Sequence, residues 1–309
     1  MTRVPIRWAF AAVAAIVVST AVQAPAGAQT LRSEPPAPST QPQVEGANDW
    51  SCVPNEQHPR PVVLIHGTGM NSTAWTVLAP ELRDLGYCVF APNYGAVPTL
   101  FDPSTMAWGT GDILASSREL ASFVQSVRDA TGAAQVDLVG HSQGGTLARQ
   151  YLKFDGGADP QDPSRNAVHS VISLGATNHG TTFGGIQSLT QGLEAVGLPG
   201  QLIAQILLGR ASVQQLVGSP VLASLNAGGE VEPGVNYTAI ATRTDSVSTP
   251  PEGAFLNNNG SARVHNEWVQ DKCPQATTTH DGLLSDPVPL AMVKAALDPA
   301  WADENPIVC

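Results

Sequence analysis

The run VDLVGHSQGGTLAR, Val136 to Arg149, decides how this chain is read. Its first four residues have strand chemistry, and QGGTLARQYLKF, which begins inside it, reads as a helix. Between them lies Gly140-His141-Ser142-Gln143-Gly144, a G-x-S-x-G pattern at a strand-to-helix turn. The two glycines occupy the positions where a Cβ would have no room, so the turn would expose the Ser142 oxygen beside the positive end of the helix dipole. A pentapeptide alone is also a common glycine-rich turn. A nucleophilic serine further needs a base, an acid to orient it, and donors for an oxyanion.

The surrounding pattern supplies a matching scaffold. RPVVLIHG, Arg60 to Gly67, is a continuous apolar run closed by glycine, as expected of a strand buried on both faces. Trp75, Leu78, Leu82 and Leu85 recur at helical spacing, with Gly86 behind them, so Thr73 to Leu85 is expected to be a helix. YCVFAPNYG returns to strand chemistry, and a second helix is expected over about Asp112 to Thr131, ended by Gly132. HSVISLGA, VNYTAIAT and ARVHNEWVQ read as further strands, and VPLAMVKAALD as a late helix. Strands alternating with helices imply a doubly wound α/β architecture: a mostly parallel sheet covered by helices on both faces. Thr181 to Gly229, rich in Gly, Leu and Gln, reads either as helices packed on the sheet or as a small helical cap shaping an apolar pocket.

The partners of Ser142 follow from position. The loop HGTG, His66 to Gly69, ends the first clear strand, so the backbone N–H groups of Thr68 and Gln143 are the expected oxyanion donors. Of the seven histidines, His58, His66 and His141 stand too early for the order Ser, Asp or Glu, His. His169 and His179 leave no acid-bearing strand behind Ser142, and His265 falls inside a strand. His280, in the polar loop TTTHDGLLSD, is therefore the expected base. Asp245 directly follows VNYTAIAT, at the strand end where open α/β sheets bind ligands, and is the expected acid, with Asp271 a distant second. Asp281 adjoins His280, but neighbouring loop residues diverge, and Asp286 reads as solvated.

The chain ends carry a different message. Arg3 and Arg7, the apolar run Trp8 to Val18 and Ala26-Gly27-Ala28 read as a secretory signal over residues 1–28. Residues 29–48, mainly Pro, Ala, Ser, Thr and Gln, read as a disordered linker before a domain over 49–309. Four cysteines in an exported chain suggest two disulfides, with three pairings formally open. Cys52–Cys88 and Cys273–Cys309 are preferred, since each staples a terminal segment to nearby structure. No Cys pair has the C-x-x-C spacing of a metal or redox site. A net charge of −11 argues against nucleic acid as a partner.

PRPVVLIHGTGMNSTAW, GYCVFAPNYG, GHSQGG, LGATNHGT, SLNAGGE, YTAIATRTD, QDKCP and HDGLL together resemble the secreted bacterial lipases of the α/β-hydrolase superfamily, the actinobacterial lipase and esterase group in particular. The likeness spans nearly all of Trp50 to Cys309. It implies an α/β-hydrolase fold and a secreted, monomeric hydrolase of carboxylic esters, triacylglycerols among them. No metal or other cofactor is expected, and the partner would be a lipid or other ester substrate, met transiently at a lipid–water interface. By motif, Ser142 would be nucleophile, Asp245 acid, His280 base, and Thr68 and Gln143 oxyanion donors. Two other readings use the same residues: an exported acyltransferase with this triad, and a catalytically inactive envelope binding protein with this fold.

Overall fold

Ser142 sits at the C-terminal edge of a six-stranded sheet in a computed structural model that describes residues 41–309. The strands are β1 (Val62–Ile65), β2 (Val89–Phe90), β5 (Val136–His141), β6 (Val168–Leu174), β7 (Asn236–Ala241) and β8 (Arg263–Trp268), ordered β2-β1-β5-β6-β7-β8. Every pairing among them is parallel. A separate antiparallel pair, β3 (Val97–Pro98) and β4 (Met106–Ala107), closes a hairpin after the second strand. Central strands read VVLI and VDLVGH because both of their faces are covered.

Successive side chains divide between those faces. Val62, Leu64, Val139, Ile172 and Ile240 pack with α1 (Leu78–Asp84) and α9 (Pro287–Leu297) on one side. Val63, Ile65, Leu138 and Val171 pack on the other with α2 (Ile113–Thr131) and α3 (Gln143–Phe154). Helix α2 begins where Asp112 accepts a hydrogen bond from the Ala115 amide and ends at Gly132, whose φ of 72° suits a residue without Cβ. The expected helix over Thr73 to Leu85 is instead a short 3-10 turn, Ser72–Trp75, followed by α1. Pro80 is the reason: lacking an N–H, it fits the first turn of a helix and would break a longer one. Likewise only Val89–Phe90 of YCVFAPNYG pairs as a strand.

Thr181 to Gly229 resolves into α4 (Ile186–Ala195), α5 (Gly200–Leu208), α6 (Arg210–Gln214) and α7 (Pro220–Asn226). Its two halves differ in burial. Ala211, Gln215, Leu222 and Leu225 are buried against the domain, whereas Leu189, Leu202, Ile206 and Leu207 of α4 and α5 are exposed. After β8 come α8 (Val269–Lys272), α9 and α10 (Pro299–Glu304).

Disulfides join Cys52 to Cys88 and Cys273 to Cys309. Packing extends N-terminally of residue 49. Val44 is buried, Pro42 accepts hydrogen bonds from Ser72 and Asn93, and the Asn48 side chain bonds to both backbone groups of Ala91. Residues 41–48, read as part of the linker, are therefore packed; one buried valine and a few paired polar groups suffice to order a segment of such composition. The signal sequence, residues 1–28, lies outside the described residues.

Candidate active site

Between β5 and α3 the chain turns through Ser142 with φ 54° and ψ −124°, a conformation that costs a non-glycine residue on the order of 1–3 kcal/mol. The turn is tight because its neighbours are glycines. A Cβ on Gly140 would lie 2.5 Å from the Gly144 carbonyl carbon, and one on Gly144 would lie 2.1 Å from the Ile65 oxygen. The Ser142 amide donates to Leu174 O at 2.8 Å, tying the elbow to the neighbouring strand.

Asp245, past the end of β7, and His280, at the start of a 3-10 turn, meet beside this elbow. His280 Nδ1 lies 2.7 Å from Asp245 Oδ2, and both side chains are almost fully buried. The other carboxylate oxygen, Oδ1, accepts the amides of Val247 and Ser248, each at 2.8 Å. Both carboxylate oxygens are thus occupied, which fixes the plane of the group against the imidazole. Room for the pair comes from Gly175, where a Cβ would sit 3.2 Å from both Asp245 Oδ2 and His280 Nδ1 and 2.8 Å from Leu283. Its φ of 56° adds a second reason for glycine. The remaining carboxylates considered from sequence stand elsewhere: Asp271 pairs at the surface with Arg243, and Asp281 is exposed.

His141 does more than precede the serine. Its ring packs 4.6 Å from that of His280, and its Nε2 lies 3.0 Å from the His280 carbonyl oxygen. Facing an acceptor, that nitrogen must carry the hydrogen, so Nδ1 is left as an unpartnered buried acceptor. Burial, reinforced by the neighbouring His280, pushes the His141 pKa down to about 3, so the ring is a neutral strut. His66 is held the same way: burial lowers it to about 4 while Nδ1 reaches Gly67 O and the ring stacks on Tyr94. Ser142 Oγ and His280 Nε2 make no hydrogen bond to any described residue.

Thr68 and Gln143 come together at the mouth of the elbow. Gln143 occupies the first position of α3, where a helix leaves its N–H unpaired, and neither its amide nor that of Thr68 donates to a backbone carbonyl. Their side chains are also partners, which no local spacing in the sequence signals. Gln143 Nε2 donates to Thr68 Oγ1 at 3.2 Å and to Gly109 O at 3.1 Å, while its Oε1 accepts from Tyr94 at 3.1 Å. Gln215, wholly buried at the end of α6, donates to the same Thr68 oxygen at 2.8 Å and accepts from Thr177 at 3.0 Å. The loop after β1 is therefore held from α3 and from the 181–229 segment at once. Among the described residues no cluster of His, Cys, Asp and Glu is arranged to hold a metal ion.

This arrangement can be set beside known proteins. The family model described as Lipase (class 2) matches residues 59–292. A triacylglycerol lipase of Pseudarthrobacter phenanthrenivorans is 29% identical over 150 residues, which cover 47% of this chain and 41% of that protein. A triacylglycerol lipase of Burkholderia plantarii is likewise 29% identical over 150 residues, covering 47% of this chain and 37% of its own. The chain thus matches only about two-fifths of the length of these relatives. Among solved structures, Aspergillus fumigatus lipase B superposes with a TM-score of 0.56 at 18% identity, covering 81% of this chain and 58% of that one. The mature Bacillus licheniformis lipase BlEst2 gives 0.50 at 16% identity, covering 83% and 96%. These structural likenesses concern the α/β-hydrolase fold.

Proposed function

The chain belongs to the class 2 lipase family, and from that premise we propose that it is a secreted carboxylic ester hydrolase working through an acyl-enzyme. In this reading His280 Nε2 takes the Ser142 proton as Oγ attacks the ester carbonyl carbon. The tetrahedral oxyanion is received by the amides of Thr68 and Gln143. Collapse expels the alcohol, which takes the proton back from His280, and leaves an acyl ester on Ser142. Water, deprotonated by the same imidazole, attacks that ester and releases the acid. Asp245 holds His280 in the tautomer with hydrogen on Nδ1 and stabilises the imidazolium formed in each half-reaction.

The observation that carries the proposal is the His280–Asp245 pair at 2.7 Å, buried beside a strained serine elbow. A serine in a merely structural turn has no need of either. The exposed leucines and isoleucine of α4 and α5 offer an apolar surface for acyl chains, consistent with triacylglycerol or similar esters as substrates. Two disulfides and the signal-like residues 1–28 support export. Cleavage of p-nitrophenyl esters by the purified protein tests the reading. Ser142→Ala should lose at least three orders of magnitude in kcat/KM, and a fluorophosphonate should label wild type on Ser142 and leave the variant unlabelled. Undiminished hydrolysis by Ser142→Ala would overturn it.

A further inference from the structure

Along β8 and the N-terminal ends of β6 and β7, a cleft of about 650 Å³ opens between the sheet, α9, α10 and the C-terminal tail, and neither Ser142 nor His280 lines it. That volume lies within the roughly 300–1,000 Å³ usual for small-molecule sites. Strand register explains its floor. Ser170, Asn236 and Arg263 form one cross-strand row, and Ile172, Thr238 and His265 form the next. This is the face that carries Val62, Leu64 and Ile172 farther along the sheet. Over the last two strands it turns polar, because RVHNEW places Arg263, His265 and Glu267 on alternate positions. The opposite wall stays apolar, with Met292, Ala296 and Leu297 of α9 joined by Ile307 of the tail.

The charges in the cleft are unevenly balanced. Arg60 is held at 3.0 Å by buried Asp137, which also accepts from Ser170 and lies 2.9 Å from His169 Nδ1. Lys272 stands 3.5 Å from Glu267. Arg263 enters no ion pair among the described residues, although the chain as a whole carries −11. A cleft with an apolar wall facing one uncompensated guanidinium, flanked by amide, hydroxyl and imidazole groups, suits an amphiphile with a single negative charge. The carboxylate of Glu267 in the lining, with Asp137 behind Arg60, disfavours a dianion such as a phosphate monoester.

We propose that this cleft is a second binding site, for an alkyl carboxylate. The carboxylate would pair with Arg263, the geometry in which arginine is strongest, beside Asn236, Thr238 and His265. The alkyl chain would lie along Met292, Ala296, Leu297 and Ile307. The site does not depend on ester hydrolysis, although a free fatty acid is what hydrolysis of a lipid ester would release.

Photolabelling tests it: a decanoate analogue with a diazirine at its chain end is irradiated with the whole protein, and the labelled peptides are mapped. Label is expected on residues 287–309, displaced by excess decanoate but not by decanol or inorganic phosphate. Arg263→Gln should reduce that label about tenfold and Arg263→Lys should restore most of it, with hydrolysis of p-nitrophenyl butyrate unchanged in both. Three results would each overturn the proposal: label confined to the region around Ser142, labelling indifferent to Arg263→Gln, or equal protection by decanol. Failure of ester hydrolysis itself would show in the p-nitrophenyl assay and leave the binding result standing.

Discussion

Replacing Asp245 by Asn changes almost no volume, yet under the proposed mechanism it should abolish most activity. Oδ1 accepts two backbone amides, from Val247 and Ser248, while Oδ2 faces His280 Nδ1. An asparagine must keep its oxygen toward the two amides, because turning it round would set its NH2 against two N–H donors. Each buried donor so orphaned costs about 1–3 kcal/mol, so reversal costs roughly 2–6 kcal/mol. In the favoured orientation the asparagine NH2 points at Nδ1, which must then accept, leaving the hydrogen on Nε2. An imidazole in that tautomer cannot take a proton from Ser142. Reaching the productive tautomer costs about 4 kcal/mol at the middle of that range, a loss of roughly 10³ in kcat. Steady-state hydrolysis of p-nitrophenyl butyrate measures it, with KM and the melting temperature expected to stay near wild type. Asp245→Ala, which presents no donor to Nδ1, should be at least as active as the asparagine variant. Activity of Asp245→Asn within tenfold of wild type, or clearly above that of the alanine variant, would refute the argument.

Three further outcomes follow from packing and burial. His66 and His141 titrate near 4 and 3 in the folded protein but near 6.5 when unfolded, so the unfolded chain binds more protons below that value. Stability to urea should therefore fall as pH drops from 6.5 toward 3, and His141→Gln should flatten that dependence; an equal slope in the variant would contradict it. Gly144→Ala drives a Cβ to 2.1 Å from the Ile65 oxygen and should cost more than about 3 kcal/mol or prevent folding, whereas a Cβ on Gly192 in α4 meets nothing within 4 Å. Thermal denaturation of Gly192→Ala should accordingly show an unchanged or slightly raised Tm. Removing the Cys273–Cys309 bond with a paired Cys→Ser change frees a loop with a sequence separation of 36, worth about 4 kcal/mol in the chain-entropy treatment. The urea midpoint should drop to match, with activity at 25 °C retained.

What was legible from sequence was whatever depends on local pattern. Apolar runs marked the buried strands, Asp112 and Gly132 marked both ends of α2, and the order of Ser142, Asp245 and His280 along the chain picked out residues that the fold brings to one sheet edge. Less legible were features set by distant partners. The pairing of Gln215 with Thr68 spans 147 residues, and no spacing rule announces it. Residues 41–48 have the composition of a linker, and their order rests on Val44 and on bonds to residues 30 to 51 positions away. Chain order excludes His141 as the base. It does not act on the serine, but its Nε2 reaches the His280 backbone. Gly175 had a visible signal, the glycine closing the strand run HSVISLGA, but only the fold shows that it clears space for the Asp245–His280 pair.

The polar ties around Thr68 bear on how the 181–229 segment divides its work. Gln215 is buried and bonded on both sides of its amide, to Thr68 and Ala211 through nitrogen and to Thr177 through oxygen. Gln214, its neighbour, accepts from the Ile113 amide and donates to Asp112, so α6 is also fastened to the start of α2. In the proposed mechanism, a change in this half should disturb the loop that carries the Thr68 amide, and with it the stabilisation of an oxyanion. Helices α4 and α5 carry no comparable ties to that loop, and their exposed leucines and isoleucine meet solvent. Preference for acyl chain length should therefore be tunable in α4 and α5 at little expense to kcat, whereas substitutions at Gln215 should lower kcat for every chain length alike. The two halves of the segment meet at Gly209, where a Cβ would strike Thr110 at 2.5 Å. One half is bonded to the Thr68 loop, and the other presents its apolar side chains to solvent.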